Sequence, residues 1–165
     1  MATRAPLSFK EKILPQEEVF RRYGQPRGGT VVFTNGCFDI LHRGHIALLN
    51  AAKELGDVLV VALNGDDSVR RLKGPERPIN SLGDRVEVLA ALSCVDHLVA
   101  FDEDRPEELL RALRPDIVVK GGDYSADTVP EAPLVRALGA ELRILAQVPE
   151  RSTTRIVERL RPHPT

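Results

Sequence analysis

The chain has few of the residues that point to a membrane, nucleic-acid-binding or disulfide-stabilised protein. Aromatic residues make up 4% of its 165 residues, and tryptophan is absent. Its two cysteines, Cys37 and Cys94, are too few and too far apart to suggest a disulfide framework. No apolar run approaches the ~20 residues of a membrane span, and the N-terminus lacks the apolar core of a signal peptide. These absences predict a cytoplasmic protein with no membrane partner.

The net charge is also small. Lysine and arginine total 23 against 24 acidic residues, which gives a formal net charge of −1. The basic residues are spread along the chain, and no basic stripe alternates with aromatic side chains on which bases could stack. We therefore expect no nucleic-acid partner. The length is sufficient for one domain with a sizeable core.

From Thr30 onward the sequence alternates between strand and helix patterns. Strands are predicted at residues 31–34, 58–63, 97–101, 117–120 and 142–148, and helices near residues 43–55, 67–72, 82–92, 106–113 and 132–138. Several strands are continuous runs of Val, Leu, Ile and Ala, as in parallel sheets covered on both faces. This pattern predicts an α/β class, Rossmann-like, doubly wound five-stranded parallel sheet in a single domain. Residues 1–29, with a short helix at 16–23, are predicted to form an N-terminal extension on a domain of residues 30–165.

Polar residues and glycines follow four of the five predicted strands. They fall at residues 35–45, 64–67, 120–124 and 149–154. In doubly wound sheets ligands bind outside the carboxyl ends of the strands, where the strand order reverses. The sequence therefore predicts a site at this edge. Taken singly, Asn64, Ser152 and Thr153 are better explained by turn and helix-cap chemistry than by a binding role.

Two histidines, His42 and His45, mark the transition from the first loop to the first helix of the domain. A helix start presents free N–H groups and a positive dipole end, so it favours an anion, and Gly36 and Gly44 leave room for a phosphate. A bare H-x-x-H is also compatible with two surface histidines. A zinc site is less favoured, because it needs further ligands and neither His97 nor His163 has a ligand-like setting.

Two further residues near the predicted edge carry chemistry. Lys120 ends an apolar strand directly before Gly121 and Gly122, where an ammonium group is costly to bury unless it meets an anion. We expect Asp123 or another carboxylate to hold it, beside a bound nucleotide. Cys37 is interpreted as a packing residue rather than a nucleophile, because no partner base is evident.

The string from Gly36 to His45, GCFDILHRGH, resembles the G-x-F-D-x-x-H-x-G-H signature of the cytidylyltransferase-like nucleotidyltransferases at every fixed position. Residues 72–80, 118–124 and 152–154 resemble the D-glycero-β-D-manno-heptose 1-phosphate adenylyltransferase branch of that family. This branch occurs as the second domain of a bifunctional heptose kinase/adenylyltransferase and as a free-standing enzyme. The chain has no kinase portion, so the resemblance implies the free-standing form.

The resemblance implies transfer of AMP from ATP to the heptose 1-phosphate, with Mg²⁺ bound through the ATP phosphates and no metal site of the protein's own. It also implies a homo-oligomer. Catalytic roles fall to His42, His45 and Lys73, and binding of the second substrate to Asp39, Asn64 and Asp66. Nucleotide-binding roles fall to Thr34, Asn35, Gly36, Cys37, Phe38, Gly44, Arg85, Lys120, Gly121, Asp123, Ser152, Thr153 and Thr154.

One departure from the family pattern keeps alternatives open. Glu150 and Arg151 stand where relatives usually carry a glycine before Ser-Thr-Thr, which leaves nucleotide selectivity undecided. The closest alternatives are other reactions of the same superfamily, glycerol 3-phosphate cytidylyltransferase or FAD synthetase. A nucleotide-binding module without turnover is a third alternative, and the intact His42 and His45 argue against it.

Overall fold

A computed structural model of the chain describes residues 8–122, 125, 128–146 and 152–160. Its strands are β1 (Val31–Gly36), β2 (Val58–Asn64), β3 (His97–Phe101), β4 (Ile117–Gly121) and β5 (Glu141–Leu145). Its α-helices are α1 (Gln16–Tyr23), α2 (Arg43–Lys53), α3 (Asp66–Lys73), α4 (Leu82–Ala90), α5 (Glu107–Leu113), α6 (Ala132–Ala137) and α7 (Thr153–Leu160), and a short 3₁₀ turn covers Phe9–Lys12.

The five strands form one parallel sheet in the order β3-β2-β1-β4-β5. The order reverses between β1 and β4, which pair from Val32 with Ile117 to Thr34 with Val119. This is the switch point at which doubly wound sheets bind ligands. The predicted fold class is confirmed. The first strand runs two residues further than predicted, because Asn35 and Gly36 continue the pairing with β2.

Successive residues of the central strands contribute to two separate cores, because side chains alternate across a sheet. On one face Val32, Leu59 and Val61 pack with buried residues of α2 and α4. On the other face Val31, Phe33 and Val60 pack with residues of α1, α5 and α6. Coverage of both faces explains why the strand sequences are apolar throughout.

The residues before β1 pack onto the second core. Val19 of α1 is fully buried there, and the Leu14 amide donates to the Leu98 carbonyl at 2.9 Å. Arg27 pairs with Asp116 at 2.7 Å, and the same carboxylate accepts from the Val31 amide. The domain boundary at residue 30 stays a prediction. Within the described residues, no helix is long and apolar enough to cross a bilayer.

Candidate active site

The loop between β1 and α2 brings the two histidines of the signature face to face. His42 is the N-cap of α2, and its Nδ1 accepts from the Gly44 amide at 3.1 Å. His45 reaches back, so that its Nδ1 accepts from the His42 amide at 3.4 Å. The rings stack with centroids 3.8 Å apart and an interplanar angle of 23°. The histidine side chains therefore cap their own helix, a role that their position at the loop-to-helix boundary signals.

The hydrogen bonds of the two histidines fix where their protons lie. Because each Nδ1 accepts a hydrogen bond, a neutral imidazole in this arrangement carries its proton on Nε2. Burial, helped by the neighbouring charge of His42, lowers the pKa of His45 to about 4. His45 is therefore a neutral N–H donor at neutral pH. A pair of Nε2–H groups at a helix start suits a phosphate oxygen.

Phe38 packs against the same loop. Its backbone lies in the left-handed region at φ +47°, and its buried ring contacts the His45 ring with centroids 5.2 Å apart. A Cβ atom on Gly36 would lie 3.1 Å from the Phe38 ring, and one on Gly121 would lie 2.9 Å from a methyl of Leu48 in α2. Both glycines thus allow close packing under the loop, as well as the ligand approach for which the sequence suggested Gly36.

Positive charge gathers around Cys37 at the end of β1. Burial raises the pKa of the Cys37 thiol, whereas the charges of Lys73, Arg85 and Arg77 act to lower it. Three cations from the segment after β2 therefore lie near the histidine loop. The thiol stays protonated at neutral pH, which agrees with a packing role for Cys37. Lys73 is the last residue of α3 and is exposed to solvent.

Arg85 of α4 is the buried centre of this region. Its guanidinium donates to the carbonyl of Cys37, the residue after β1, at 2.6 Å. It also donates to the carbonyl of Asn64, the last residue of β2, at 2.9 Å. It also donates to the Asn80 carbonyl at 3.1 Å and pairs with Asp66 at 2.7 Å. All three guanidinium nitrogens are thus used within the protein. The assignment of Arg85 to nucleotide binding stays a prediction.

The side chains expected to bind the second substrate are engaged with the protein. Asp39 is fully buried and accepts from the Arg77 guanidinium at 2.6 Å and from the Ile79 and Asn80 amides at 2.8 Å. Burial acts to raise the pKa of Asp39, but these hydrogen bonds hold it below its ordinary value. Asn64 donates to the Ser68 hydroxyl at 3.0 Å, and Asp66 pairs with Arg85. Their substrate-binding roles stay predictions.

Across the switch point, Lys120 lies beside β1. Its ammonium donates to the Asn35 side-chain oxygen at 2.6 Å and to Glu131 at 3.0 Å. Burial lowers the pKa of Lys120, and the Glu131 carboxylate opposes that shift. The sequence analysis expected Asp123 or another carboxylate to hold Lys120, and Glu131, which directly precedes α6, is such a carboxylate. Nothing in its sequence setting separates it from an ordinary helix-start residue. Asp123, the residue expected there, lies outside the described residues.

The remaining predicted residues tie the switch point to the last helix. The Thr34 hydroxyl is buried and donates to the Val119 carbonyl at 2.9 Å, across the β1–β4 pair. Ser152 caps α7 by accepting from the Arg155 amide at 3.2 Å, and Thr153 donates to the Ile40 carbonyl at 3.2 Å. The start of α7 therefore lies beside the loop that leads into α2. Thr154 is exposed, and Glu150 and Arg151 lie outside the described residues.

The described residues contain no group of three or more His, Cys, Asp and Glu side chains that could hold a metal ion.

A separate cavity lies at the opposite edge of the sheet, lined by Gln25, Arg114, Pro115, Asp116, Leu138 and Gly139. It contains none of the predicted site residues. The structure instead brings His42, His45, Lys73, Lys120 and the start of α7 to the carboxyl edge.

A sequence model of the family described as cytidylyltransferase-like matches residues 33–159, which include all of these side chains. The chain belongs to this family. Bifunctional HldE proteins from Syntrophotalea carbinolica and Azotobacter vinelandii are 53% and 55% identical to it over 93% and 98% of its length. These matches cover 31% and 33% of the relatives, so the chain spans about a third of the length of the curated relatives it matches.

Solved structures agree with this assignment. A lipopolysaccharide core biosynthesis protein from Thermoplasma volcanium is 33% identical, with a TM-score of 0.60 over 73% of this chain and 98% of that chain. Pantoate-β-alanine ligase from Francisella tularensis, at 16% identity, has a TM-score of 0.62 over 86% of this chain and 68% of that chain, and it shares the fold alone. The family and the relatives confirm the prediction of a nucleotidyltransferase enzyme. The roles of individual residues stay predictions.

The buried, stacked setting of His45 predicts an unusual titration. Its pKa of about 4 lies below the ordinary histidine value of 6.5, so the unfolded chain takes up this proton first as the pH falls. The contribution of this group to stability is therefore lost between about pH 6.5 and 4, and it is constant above that window. An NMR titration of the ring protons, assigned with a His45→Ala variant, is expected to show a midpoint near pH 4. A midpoint near 6.5 would contradict the described burial.

Proposed function

We propose that the chain transfers AMP from ATP to D-glycero-β-D-manno-heptose 1-phosphate, releasing pyrophosphate and forming ADP-heptose. The observation that carries the proposal is the stacked His42–His45 pair, neutral at His45, beside a group of cations at the carboxyl edge of the sheet. The choice of substrate is supported by the resemblance of residues 72–80 and 118–124 to the heptose branch. Similarity to bifunctional HldE proteins and to a lipopolysaccharide core biosynthesis protein supports it further.

The reaction needs positioning and charge stabilisation more than proton transfer. A sugar phosphate oxygen, already ionised at neutral pH, attacks the α-phosphorus of ATP. A new P–O bond forms there, and the bond between the α-phosphorus and the bridging oxygen breaks, so that pyrophosphate leaves with the electron pair. No general base is required. The protein must hold two polyanions together and stabilise the charge that develops on the phosphate oxygens.

The described residues suit that task. In the proposed complex the Nε2–H groups of His42 and His45, at the positive dipole end of α2, donate to phosphate oxygens of ATP. Lys73 offsets charge on the departing pyrophosphate. The start of α7 offers backbone amides as further donors, and the hydrogen bond from Thr153 to Ile40 keeps this helix start beside the loop that leads into α2. Lys120 borders the nucleotide at the switch point.

Mg²⁺ enters this proposal as part of the substrate. Triphosphate oxygens are the hard ligands that Mg²⁺ prefers, and the ion keeps several water ligands when it binds a protein. In this proposal the ion is therefore held mainly by the ATP phosphates. A homo-oligomeric, cytoplasmic enzyme that binds ATP and a sugar 1-phosphate, with no nucleic-acid partner, completes the proposal.

Pyrophosphate release tests the substrate assignment. The purified chain is assayed with ATP or CTP, each with a panel of acceptors that contains the heptose 1-phosphate, other sugar 1-phosphates, glycerol 3-phosphate and FMN. We expect turnover with ATP and the heptose 1-phosphate to exceed every other combination. Preference for CTP with glycerol 3-phosphate, or for ATP with FMN, would contradict the proposal and assign the chain one of the alternative reactions. No release with any pair would contradict turnover.

The histidine pair can be tested apart from its capping role. His42→Asn retains a good N-cap acceptor but removes the Nε2–H donor, whereas His42→Ala removes both. Loss of one preorganised donor to a developing oxyanion costs on the order of 3 kcal/mol, so both variants are expected to lose about a hundredfold in kcat. Only His42→Ala is expected to lose stability, by about 1 kcal/mol. Near-normal kcat in His42→Asn would refute the catalytic assignment.

Lys120 is expected to contribute to ATP binding. Lys120→Met removes the ammonium but leaves the Glu131 carboxylate buried without its partner, so this variant should also be less stable. The double variant Lys120→Met/Glu131→Gln removes that charge and should recover most of the stability. If Lys120 borders the nucleotide, calorimetry will show ATP binding weakened roughly tenfold in both variants. ATP binding equal to the parent in the stable double variant would make Lys120 purely structural.

A further inference from the structure

We propose that Arg77 binds a phosphate group of a substrate directly, and that Asp39 is the residue that positions Arg77 for it. The inference rests on the proposed nucleotidyl transfer and adds a binding residue that the signature does not contain. Arg77 lies between α3 and α4, in the segment from Gly74 to Asn80.

Arg77 is anchored through only one part of its guanidinium. Its Nε donates to Asp39 at 2.6 Å, and its side chain is 12% exposed. Within the described part of the chain, neither Nη nitrogen makes a hydrogen bond. A guanidinium has five N–H donors, so four remain for a ligand. A nearly buried charge with unused donors is costly unless an anion reaches it. The geometry thus leaves a fork suited to phosphate.

The position of Arg77 agrees with such a ligand. Its charge acts on Cys37 together with those of Lys73 and Arg85, which places it beside the loop that leads to the histidine pair. Arg85 differs from it in one respect. Every guanidinium nitrogen of Arg85 donates to a protein oxygen, so Arg85 has a structural role. The two Nη nitrogens of Arg77, by contrast, are available to a ligand.

Asp39 holds the segment that carries Arg77. Besides the arginine, its carboxylate accepts from the Ile79 and Asn80 amides, and its carbonyl accepts from the Asn80 side chain at 2.8 Å. The Asn80 carbonyl is fixed in turn by Arg85. These contacts occupy the Asp39 oxygens with protein donors. We therefore assign Asp39 to positioning, in place of the direct substrate contact that the family resemblance implied.

The ligand chemistry is a phosphate oxyanion that accepts two parallel N–H bonds. Both substrates of the proposed reaction carry one, and kinetics separate the two sources. If Arg77 contacts ATP, its loss raises KM for ATP. If it contacts the sugar phosphate, its loss raises KM for that substrate. A contact made only in the transition state lowers kcat instead.

The test compares Arg77→Met and Arg77→Lys with Arg70→Met, an exposed arginine on α3 that pairs with Asp67. Arg77→Met is expected to lose at least tenfold in kcat/KM for one substrate. Arg77→Lys, which keeps the charge but not the fork, should be intermediate. The control should stay within twofold of the parent. Calorimetry with ATP and with inorganic phosphate does not depend on the sugar. Loss of either binding supports Arg77 even if the heptose assignment fails.

Unchanged binding of both ligands by Arg77→Met, with kcat/KM within twofold of the parent, would overturn the proposal. Hydrogen exchange at the Ile79 and Asn80 amides provides the structural check. Retained protection in Arg77→Met shows that the segment is still anchored, so that lost activity reports the missing guanidinium. If these amides lose protection in Arg77→Met, the Arg77→Lys variant decides the test instead, because the lysine keeps a cation beside Asp39.

Asp39→Asn separates positioning from contact. A positioning role predicts that the Ile79 and Asn80 amides lose protection and that kcat/KM falls to a similar extent as in Arg77→Met. It also predicts that the double variant is little worse than either single one, because both act through the same guanidinium. Protected amides with a raised KM, and additive losses in the double variant, would show that Asp39 itself contacts substrate and would overturn its assignment.

Discussion

Arg85 joins the parts of the chain that the site requires. Its side chain has no solvent exposure, and it binds carbonyls that follow β1, end β2 and precede α4, together with Asp66 at the start of α3. Removal of one partner of a buried ion pair costs up to about 3–5 kcal/mol, because it leaves an uncompensated buried charge, and the cost is smaller here because Asp66 is partly exposed. The carboxyl edge of the sheet is therefore held in one arrangement before any ligand binds.

The two histidines in the loop before α2 and in its first turn also serve two roles. His42 and His45 satisfy the free amides of their own helix through Nδ1, and this leaves the proton on the opposite ring nitrogen. One pair of side chains thus stabilises the helix start and presents neutral donors to an anion. Because burial and the neighbouring charge of His42 keep the pKa of His45 at about 4, His45 stays uncharged and its donor capacity does not change near neutral pH. Preorganised donors of this kind are effective because they need no rearrangement during the reaction.

The sequence predicts the sheet well and indicates which residues come together at its carboxyl edge, but it does not predict the partners of the charged residues there. Continuous apolar strands and alternating helices are sufficient for the parallel fold, and residues after the strands mark the edge. The partner of Lys120 is different, because Glu131 is one of many acidic residues and only the placement of α6 selects it. Likewise Asp39 binds a segment about 40 residues away, through backbone amides that no sequence motif records.

The central claim is that substrate binds at the switch-point edge, between the starts of α2 and α7. Titration of the isotopically labelled chain with a non-hydrolysable ATP analogue and Mg²⁺, followed by NMR of backbone amides, tests it most directly. The account predicts the largest shifts at Gly44, His45 and the residues around Lys120, with little change at Gly139 at the opposite edge. Shifts concentrated around Gly139 and Arg114, where the separate cavity lies, would contradict it.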